Sequence, residues 1–314
     1  MVFRIALHPY KSNQIMIYVL IPLYNRSHQT KKLINQLIAQ YDNNFVVIFR
    51  DDLSTDDTWK VLTSLNYSFI HYMQSDGDEF WTKSINNCIK YVENSFNLKD
   101  DDLLLFLDND NTLGDGFFKK IVKSNNKQVI TTVSIDITDH TILPTAMKIK
   151  SYFFGLSEKY GNGIMGKRDF IFNHPKKIIC GFDMLVGRGM YFPYSLVKKI
   201  GYLDQKCFPQ YGSDTEFSCR AKRSGYKLCI DLSNPIYVDP ADTGLNPFYK
   251  KLSLKDSFMS LFSIRSASHL PMRIRSIFKT YPAYSWVSAI PLTILKILFL
   301  TFFFNWFSRR NKIN

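Results

Sequence analysis

The run Leu103-Leu104-Leu105-Phe106-Leu107-Asp108-Asn109-Asp110 decides the fold. Its first five residues are all apolar, as expected of a strand buried on both faces in a helix-covered parallel sheet. The polar triplet follows without a break, so two carboxylates flanking one residue stand at the strand's carboxyl end. Open α/β sheets place their ligands at that end.

Upstream, short apolar runs alternate with helical patterns. Ile15–Ile21 reads as a first strand ending at Pro22, and Leu33, Ile34, Leu37 and Ile38 then recur at helical spacing, with Ser27 or Thr30 as cap. Phe45–Phe49 is a second strand, followed by Asp51-Asp52 and a helix near Asp57–Leu65. A third strand at Phe69–Tyr72 and a third helix at Trp81–Val92 complete the alternation. This order implies an α/β fold with a mostly parallel central sheet and helices on both faces. Downstream, Gly161, Asn162, Gly163 and Gly166 suggest a mobile loop. Regular structure resumes at Phe182–Phe192, then as helices near Ser195–Ile200 and Ser213–Ser224 and a strand at Lys227–Asp231.

The chain has 314 residues, 46% hydrophobic and 21% charged, which is globular rather than disordered. Its net charge of +13 is unevenly spread: residues 248–314 carry eleven Lys/Arg against one acid, Asp256. Only +3 remains for residues 1–247, which argues against a nucleic-acid-binding protein, as does the absence of any such motif. Residues 287–306 contain fourteen Ala, Val, Ile, Leu, Phe or Trp, interrupted by Pro291 and Lys296. A basic, apolar, amphipathic helical tail of this kind fits a membrane surface, in plane, better than a spanning helix. A helix packed on protein is the alternative. No signal peptide or N-terminal anchor is evident, since Ile15–Leu23 is too short. The cysteines (Cys88, Cys180, Cys207, Cys219, Cys229) are odd in number and never spaced CxxC, so ordinary thiols in a reducing compartment are expected.

Asp108 and Asp110 have the chemistry to face a hard divalent cation, and a solvated turn is the alternative. Asp51 and Asp52 suit hydrogen bonds from a base and a ribose, while Ser54, Thr55 or Asp56 caps the following helix. Asp214 and Glu216 open a helix, where a carboxylate is favoured by the dipole or serves as a general base.

Five stretches in order resemble family 2 glycosyltransferases of the GT-A fold. Val19 to Arg26 resembles the opening strand and its Pro-x-Tyr-Asn-Arg turn, and Val47 to Thr58 resembles Val-Asp-Asp-Gly-Ser-x-Asp-x-Thr. Phe80 to Ile89 is similar to the segment ending Asn-x-Gly-Ile, Phe106 to Asp110 sits at the DxD, and Phe208 to Arg220 resembles the Glu-Asp motif. Gly201 to Asp204 stands where the family often has Gly-x-Phe-Asp. The resemblance implies a UDP-, dTDP- or GDP-sugar donor, inversion at the anomeric carbon, and a hydroxyl acceptor on a glycan or lipid carrier. It places Asp51 and Asp52 on the nucleoside, with Pro22, Tyr24 and Arg26 lining the pocket. Trp81, Asn86, Asp108 and Asn109 fall to the nucleotide sugar, and Asp108 and Asp110 to Mn2+ or Mg2+. Asp214 becomes the catalytic base. Arg50, Leu53 (for Gly), Cys88 (for Gly) and Ser213 (for Glu) depart from the pattern. Trp81-Thr82 and the tail further resemble rhamnosyltransferase-like members that build surface polysaccharides.

The expected organisation is a catalytic domain over 1–247, with a nucleotide-sugar half to about 112 and an acceptor half beyond it, then a membrane-associating helical region over 248–314. The expected location is cytoplasmic, peripheral on the inner membrane face. A non-catalytic, membrane-associated nucleotide-sugar-binding protein is the competing reading.

Overall fold

Strand β1 (Ile17–Leu23) is buried along its whole length, because it has a parallel neighbour on each side. The computed structural model describes residues 15–121, 127–161, 176–239 and 253–310. Helix α1 (Ser27–Ala39) follows β1, then β2 (Phe45–Asp51), α2 (Thr58–Thr63), β3 (Ile70–Gln74), α3 (Phe80–Ser95) and β4 (Leu103–Phe106). The order β3-β2-β1-β4 is parallel throughout, with Leu20 registered on Phe106 and Leu23 on Asp51. The chain leaves β1 toward β2 on one side and returns to β4 on the other, so a crevice opens at their carboxyl ends. Pro22 lies beyond the last β1–β4 pair, where its missing N–H interrupts no ladder on that side.

Beyond β4 the sheet changes direction. After β5 (Thr112–Leu113), α4 (Phe117–Lys120), β6 (Gln128–Asp136), β7 (Ala146–Ser151), β8 (Leu156–Tyr160), β9 (Ile178–Cys180) and β10 (Met184–Leu185) comes β11 (Met190–Pro193). β11 is antiparallel to both β4 and β6. Helix α5 (Tyr194–Ile200) and α6 (Ser213–Arg223) lead to β12 (Lys227–Val238), which runs parallel to β6 and is longer than its apolar pattern suggested. β10, β7 and β8 form a separate three-stranded antiparallel sheet. Two hydrophobic cores lie on opposite faces of the large sheet, one around Leu20, Phe106, Ile89 and Phe217, the other around Val19, Leu33, Phe45 and Phe117.

Helix α7 (Leu254–Ser260), α8 (Leu270–Thr280) and α9 (Trp286–Arg310) close the chain. Pro291 lies inside α9 without ending it. The segment Ala283–Thr301, of mean hydropathy 1.6, is long and apolar enough to cross a membrane by length and composition. Val287, Leu295 and Phe299 on α9 are exposed, as are Phe153, Phe154 and Leu156 in the β7–β8 hairpin.

Two local expectations are corrected. Neither Ser27 nor Thr30 caps α1: Ser27 is its first residue, and its amide donates instead to Asp56 Oδ2 between β2 and α2 at 2.9 Å. The thiol expectation fails at two cysteines, since Cys180 and Cys229 form a disulfide. They are 49 residues apart, and only the antiparallel register of β9 on β12 sets them side by side. Cys88, Cys207 and Cys219 are free, and burial pushes the Cys88 thiol up.

Candidate active site

The β1–α1 and β2–α2 turns are stitched to each other before they meet any ligand. Asn25 N donates to Ser54 Oγ at 2.7 Å, and Thr55 N to Asn25 Oδ1 at 2.9 Å. Asn25 and Arg26 adopt left-handed backbone angles, as does Leu53 at φ 55°. Leu53 therefore takes the conformation that a glycine adopts without cost, which explains the family preference it departs from.

Asp51 is fully buried and accepts from Ser54 Oγ and, at 3.0 Å, from Gln74 Nε2. Asp52 is committed elsewhere. Its carboxylate accepts from Ser75 Oγ at 2.7 Å, from Glu79 N at 3.0 Å and from Phe80 N at 3.0 Å. It thus caps α3, satisfying amides that a helix N-terminus otherwise leaves bare. Glu79 in turn takes a two-pronged bond from Arg50, at 2.9 and 2.7 Å, and another from Asn87 at 2.8 Å. Sequence spacing carried no signal for this pair, 29 residues apart.

At the end of β4, Asp108 N donates to Asn111 Oδ1 at 2.9 Å, which folds the turn back on itself. Asp108 Oδ1 accepts from Trp81 Nε1 at 2.9 Å, and Asp110 Oδ2 from Arg26 Nη1 at 2.6 Å. Asn109 points away to Thr30 Oγ1 on α1. Burial, then repulsion from Asp110, pushes the Asp108 carboxyl up to about 6. Asp110 beside a buried Asp108 carboxylate makes a donor pair that fits a hard divalent cation. Among the described residues no third His, Cys, Asp or Glu joins them. Further coordination would fall to phosphate oxygens and water, as Mg2+ commonly accepts.

Asp214 sits in the first turn of α6, just past Gly212 at φ 86°. Its Oδ2 accepts from Gly187 N at 2.7 Å and its Oδ1 from Thr215 N at 2.8 Å. Burial pushes its carboxyl up, and these amides and the Arg188 charge oppose the shift. Glu216 faces the other way, bonding Arg220 Nε at 2.7 Å, and Arg220 holds the carbonyls of Ile200 and Tyr202.

Trp81 connects the two acidic centres. Its indole N–H reaches Asp108, and its ring edge lies 3.4 Å from where a Cβ on Gly187 would stand. Arg188 acts electrostatically on both Asp108 and Asp214, and the Tyr211 phenol is pushed up by burial and by Asp108. Gly187, Arg188, Tyr211 and Asn111 escaped the sequence reading, though the Asp-Asn-Asp-Asn order at least hinted at Asn111. Asn86 is brought near but spent on the backbone, bonding Leu203 O at 3.0 Å and accepting from Leu203 N at 3.1 Å. Tyr24 is exposed at the mouth, with the Arg265 guanidinium 5.5 Å over its ring. Gly161 packs its backbone against Leu143 O, while residues 162–166 of the glycine-rich loop lie outside the described residues.

The crevice therefore gathers Asp51, Arg26, Trp81, Asp108, Asp110, Arg188 and Asp214, and uses Asp52, Asn86 and Asn109 to hold its walls. None of the curated proteins compared matches the chain. Three solved structures share its fold at low identity. GalNAc-T7 with UDP, GalNAc and Mn2+ is 12% identical with a TM-score of 0.54, over 73% of this chain. This chain spans about half of that one, 45%. S. aureus TarS 1–349 in complex with UDP is 13% identical, TM-score 0.52, covering 92% of this chain and 72% of its own. Mannosyltransferase PcManGT from Pyrobaculum calidifontis, in complex with GDP-Man and Mn2+, is 11% identical, TM-score 0.53, covering 90% and 74%. The family model for Glycosyl transferase family 2 matches residues 18–189, more than half of the chain and nearly all of the crevice, and the protein accordingly belongs to glycosyltransferase family 2.

Proposed function

We propose that the protein transfers one sugar, with inversion, from a nucleotide diphosphate sugar to a hydroxyl of a glycan or lipid-linked acceptor. The observation that carries this reading is the coupling of two acidic centres through Trp81. Asp108 and Asp110 stand at one end of the crevice and Asp214 at the other. One pole suits a leaving diphosphate and the other a reacting hydroxyl.

Asp214 receives the acceptor proton as the acceptor oxygen attacks the anomeric carbon. The amides of Gly187 and Thr215 aim its carboxylate, and their bonds oppose the upward pull of burial on its carboxyl. Asp108 and Asp110 would hold Mn2+ or Mg2+, which when bound supplies Lewis-acid neutralisation of the departing diphosphate. Arg26 and Arg188 bring positive charge to the same end. Trp81 fills the space between the centres and excludes water beside the reacting carbon. Asp51 faces the nucleoside, and Pro22 and Tyr24 form the pocket's rim.

The resemblance of Trp81-Thr82 and the tail to rhamnosyltransferase-like members favours surface polysaccharide as the product, with a UDP-, dTDP- or GDP-linked sugar as donor. Residues 1–247 form the catalytic domain in this reading. Residues 248–314 rest on the cytoplasmic face of the membrane, their basic charge and the exposed apolar face of α9 favouring that surface.

The test is nucleotide release from UDP-, dTDP- and GDP-sugars, with Mn2+ or Mg2+ and with EDTA, for wild type and Asp214→Asn. Metal-dependent release from one donor, reduced at least 100-fold in the variant, is expected. Donor binding without release, even with lipid-extract acceptors, would replace this reading with the non-catalytic binding protein.

A further inference from the structure

Two walls of the crevice share the bare amides at the start of α3. Asp52, just past the end of β2, takes those of Glu79 and Phe80. The next two turn to the opposite wall: Trp81 N donates to Gln210 Oε1 at 3.0 Å and Thr82 N to Pro209 O at 3.0 Å. Donors that a helix start leaves unmet are thus satisfied from two sides. One turn further along, Asn86 exchanges bonds with the backbone of Leu203 and donates to Gln205 Oε1 at 2.9 Å. The face of α3 that carries Thr82 and Asn86 is therefore sewn to residues 203–213, the stretch that leads into Asp214.

The side chain of Thr82 closes this seam. It is fully buried, with Oγ1 2.5 Å from Phe208 O and 2.7 Å from Ser213 Oγ, 131 residues away in the chain. A carbonyl can only accept, so Thr82 gives its one proton to Phe208 O and the Ser213 hydroxyl donates to Thr82. Ser213 is itself buried and is the first residue of α6, next to Asp214. That helix needs a tether, because Gly212 at its N-cap has no side chain to hold the first turn, as Ser, Thr, Asp or Asn would. On the other side of Thr82, the Trp81 indole bonds Asp108. Adjacent residues of one turn thus reach both acidic centres, Trp81 directly and Thr82 through Ser213.

We propose that Thr82 is the positioning residue for Asp214: through Ser213 it sets the start of α6, so that the seat of α3 fixes where Asp214 points. This deepens the transferase reading and rests on it for the role of Asp214 in turnover. The two amides that aim the Asp214 carboxylate belong to Thr215, within α6, and to Gly187, outside it. A shift of α6 carries Asp214 and Thr215 together and leaves Gly187 behind, so the 2.7 Å bond from Gly187 is the one that lengthens. Misplacement of a reacting group by about 1 Å costs on the order of 100-fold in rate, and loss of one tether with the packing kept costs less, about tenfold.

The test compares wild type with Thr82→Val, Ser213→Ala, the double variant and Thr82→Ser, all as the full chain. Nucleotide release at saturating donor gives kcat, and calorimetric titration gives nucleotide affinity. Carbon NMR of isotope-labelled aspartates follows the titration of Asp214, assigned by its absence in Asp214→Asn. Each of Thr82→Val and Ser213→Ala is expected to lose about tenfold or more of kcat, with nucleotide affinity changed less than about twofold. The double variant loses no more than the worse of the two, because the bond between them is already gone. Thr82→Ser keeps the hydroxyl and recovers kcat. Asp214 titrates about half a unit or more higher in the two single variants, since a carboxylate that loses a donor holds its proton more tightly. Arg188 and Arg273, whose charges act on Asp214, are untouched by these substitutions. Wild-type kcat in Ser213→Ala, losses that multiply in the double variant, or an unmoved Asp214 titration overturns the proposal. If Thr82→Val does not fold, Ser213→Ala removes the same bond and leaves that from Thr82 to Phe208 in place. Wild-type protein that releases nucleotide from no donor sinks the transferase reading, and the Asp214 titration then decides this inference by itself.

Discussion

Gly187→Ala tests whether the amide that aims Asp214 matters to turnover. An added Cβ would stand 3.0 Å from Asp214 Cβ, 3.3 Å from its Oδ2 and 3.4 Å from the Trp81 ring. Comfortable carbon–carbon contact begins near 3.5 Å, so the carboxylate must retreat by about 0.5 Å. That motion stretches the 2.7 Å bond from Gly187 N to about 3.2 Å, the outer limit for such a bond. A hydrogen bond to a charged group is worth about 1.5–3 kcal/mol. If that stabilisation is lost from the transition state, kcat falls roughly 10- to 100-fold, at about 1.4 kcal/mol per decade. Overpacking separately costs about 1–3 kcal/mol of fold stability. Nucleotide release at saturating donor gives kcat, thermal melting gives stability, and Asp214→Asn sets the floor. A variant with a lowered melting temperature and wild-type kcat would refute the reasoning. The Gly187 contact would then be packing alone.

Arg50→Ala should destabilise the fold by about 3 kcal/mol or more, because it strands the buried Glu79 carboxylate. Urea unfolding measures this, and a loss below about 1 kcal/mol would show the pair to be dispensable. Leu53→Gly should leave stability unchanged or raise it by up to about 1 kcal/mol, since relief of left-handed strain offsets the added chain entropy. A loss above about 1 kcal/mol in the same assay would mean that the contact of the Leu53 side chain with Gly77 dominates. Asp108, raised to about 6, should make Mn2+ affinity fall about tenfold per pH unit below 6 and level off above it. The stability sign is opposite: a carboxyl whose folded pKa exceeds its unfolded value contributes less as pH rises from about 4 to 6. Calorimetric Mn2+ titration between pH 5 and 8 checks the metal limb, and a flat profile there contradicts it.

The apolar run of β4, the alternation of strands with helices and the two acidic turns were legible in the chain because each is local. A strand buried on both faces must be apolar along its length, and a carboxylate at its end has few other uses. Asp108 and Asp110 could therefore be read as candidates from the residues, Asp214 was singled out from Glu216 only by the family resemblance, and helix α3 followed from the spacing of Ile85, Cys88, Ile89 and Val92. What residue type could not reveal was which polar groups the fold itself consumes. Asp52 and Asn86 carry the same chemistry as Asp51 and Gln74, yet register and helix placement spend them on the amides of Glu79 and Phe80 and on the backbone of Leu203. The Arg50–Glu79 pair and the Cys180–Cys229 bond likewise join residues far apart in the chain. Such pairings depend on how strands register and helices pack, and those are long-range properties that no local pattern encodes.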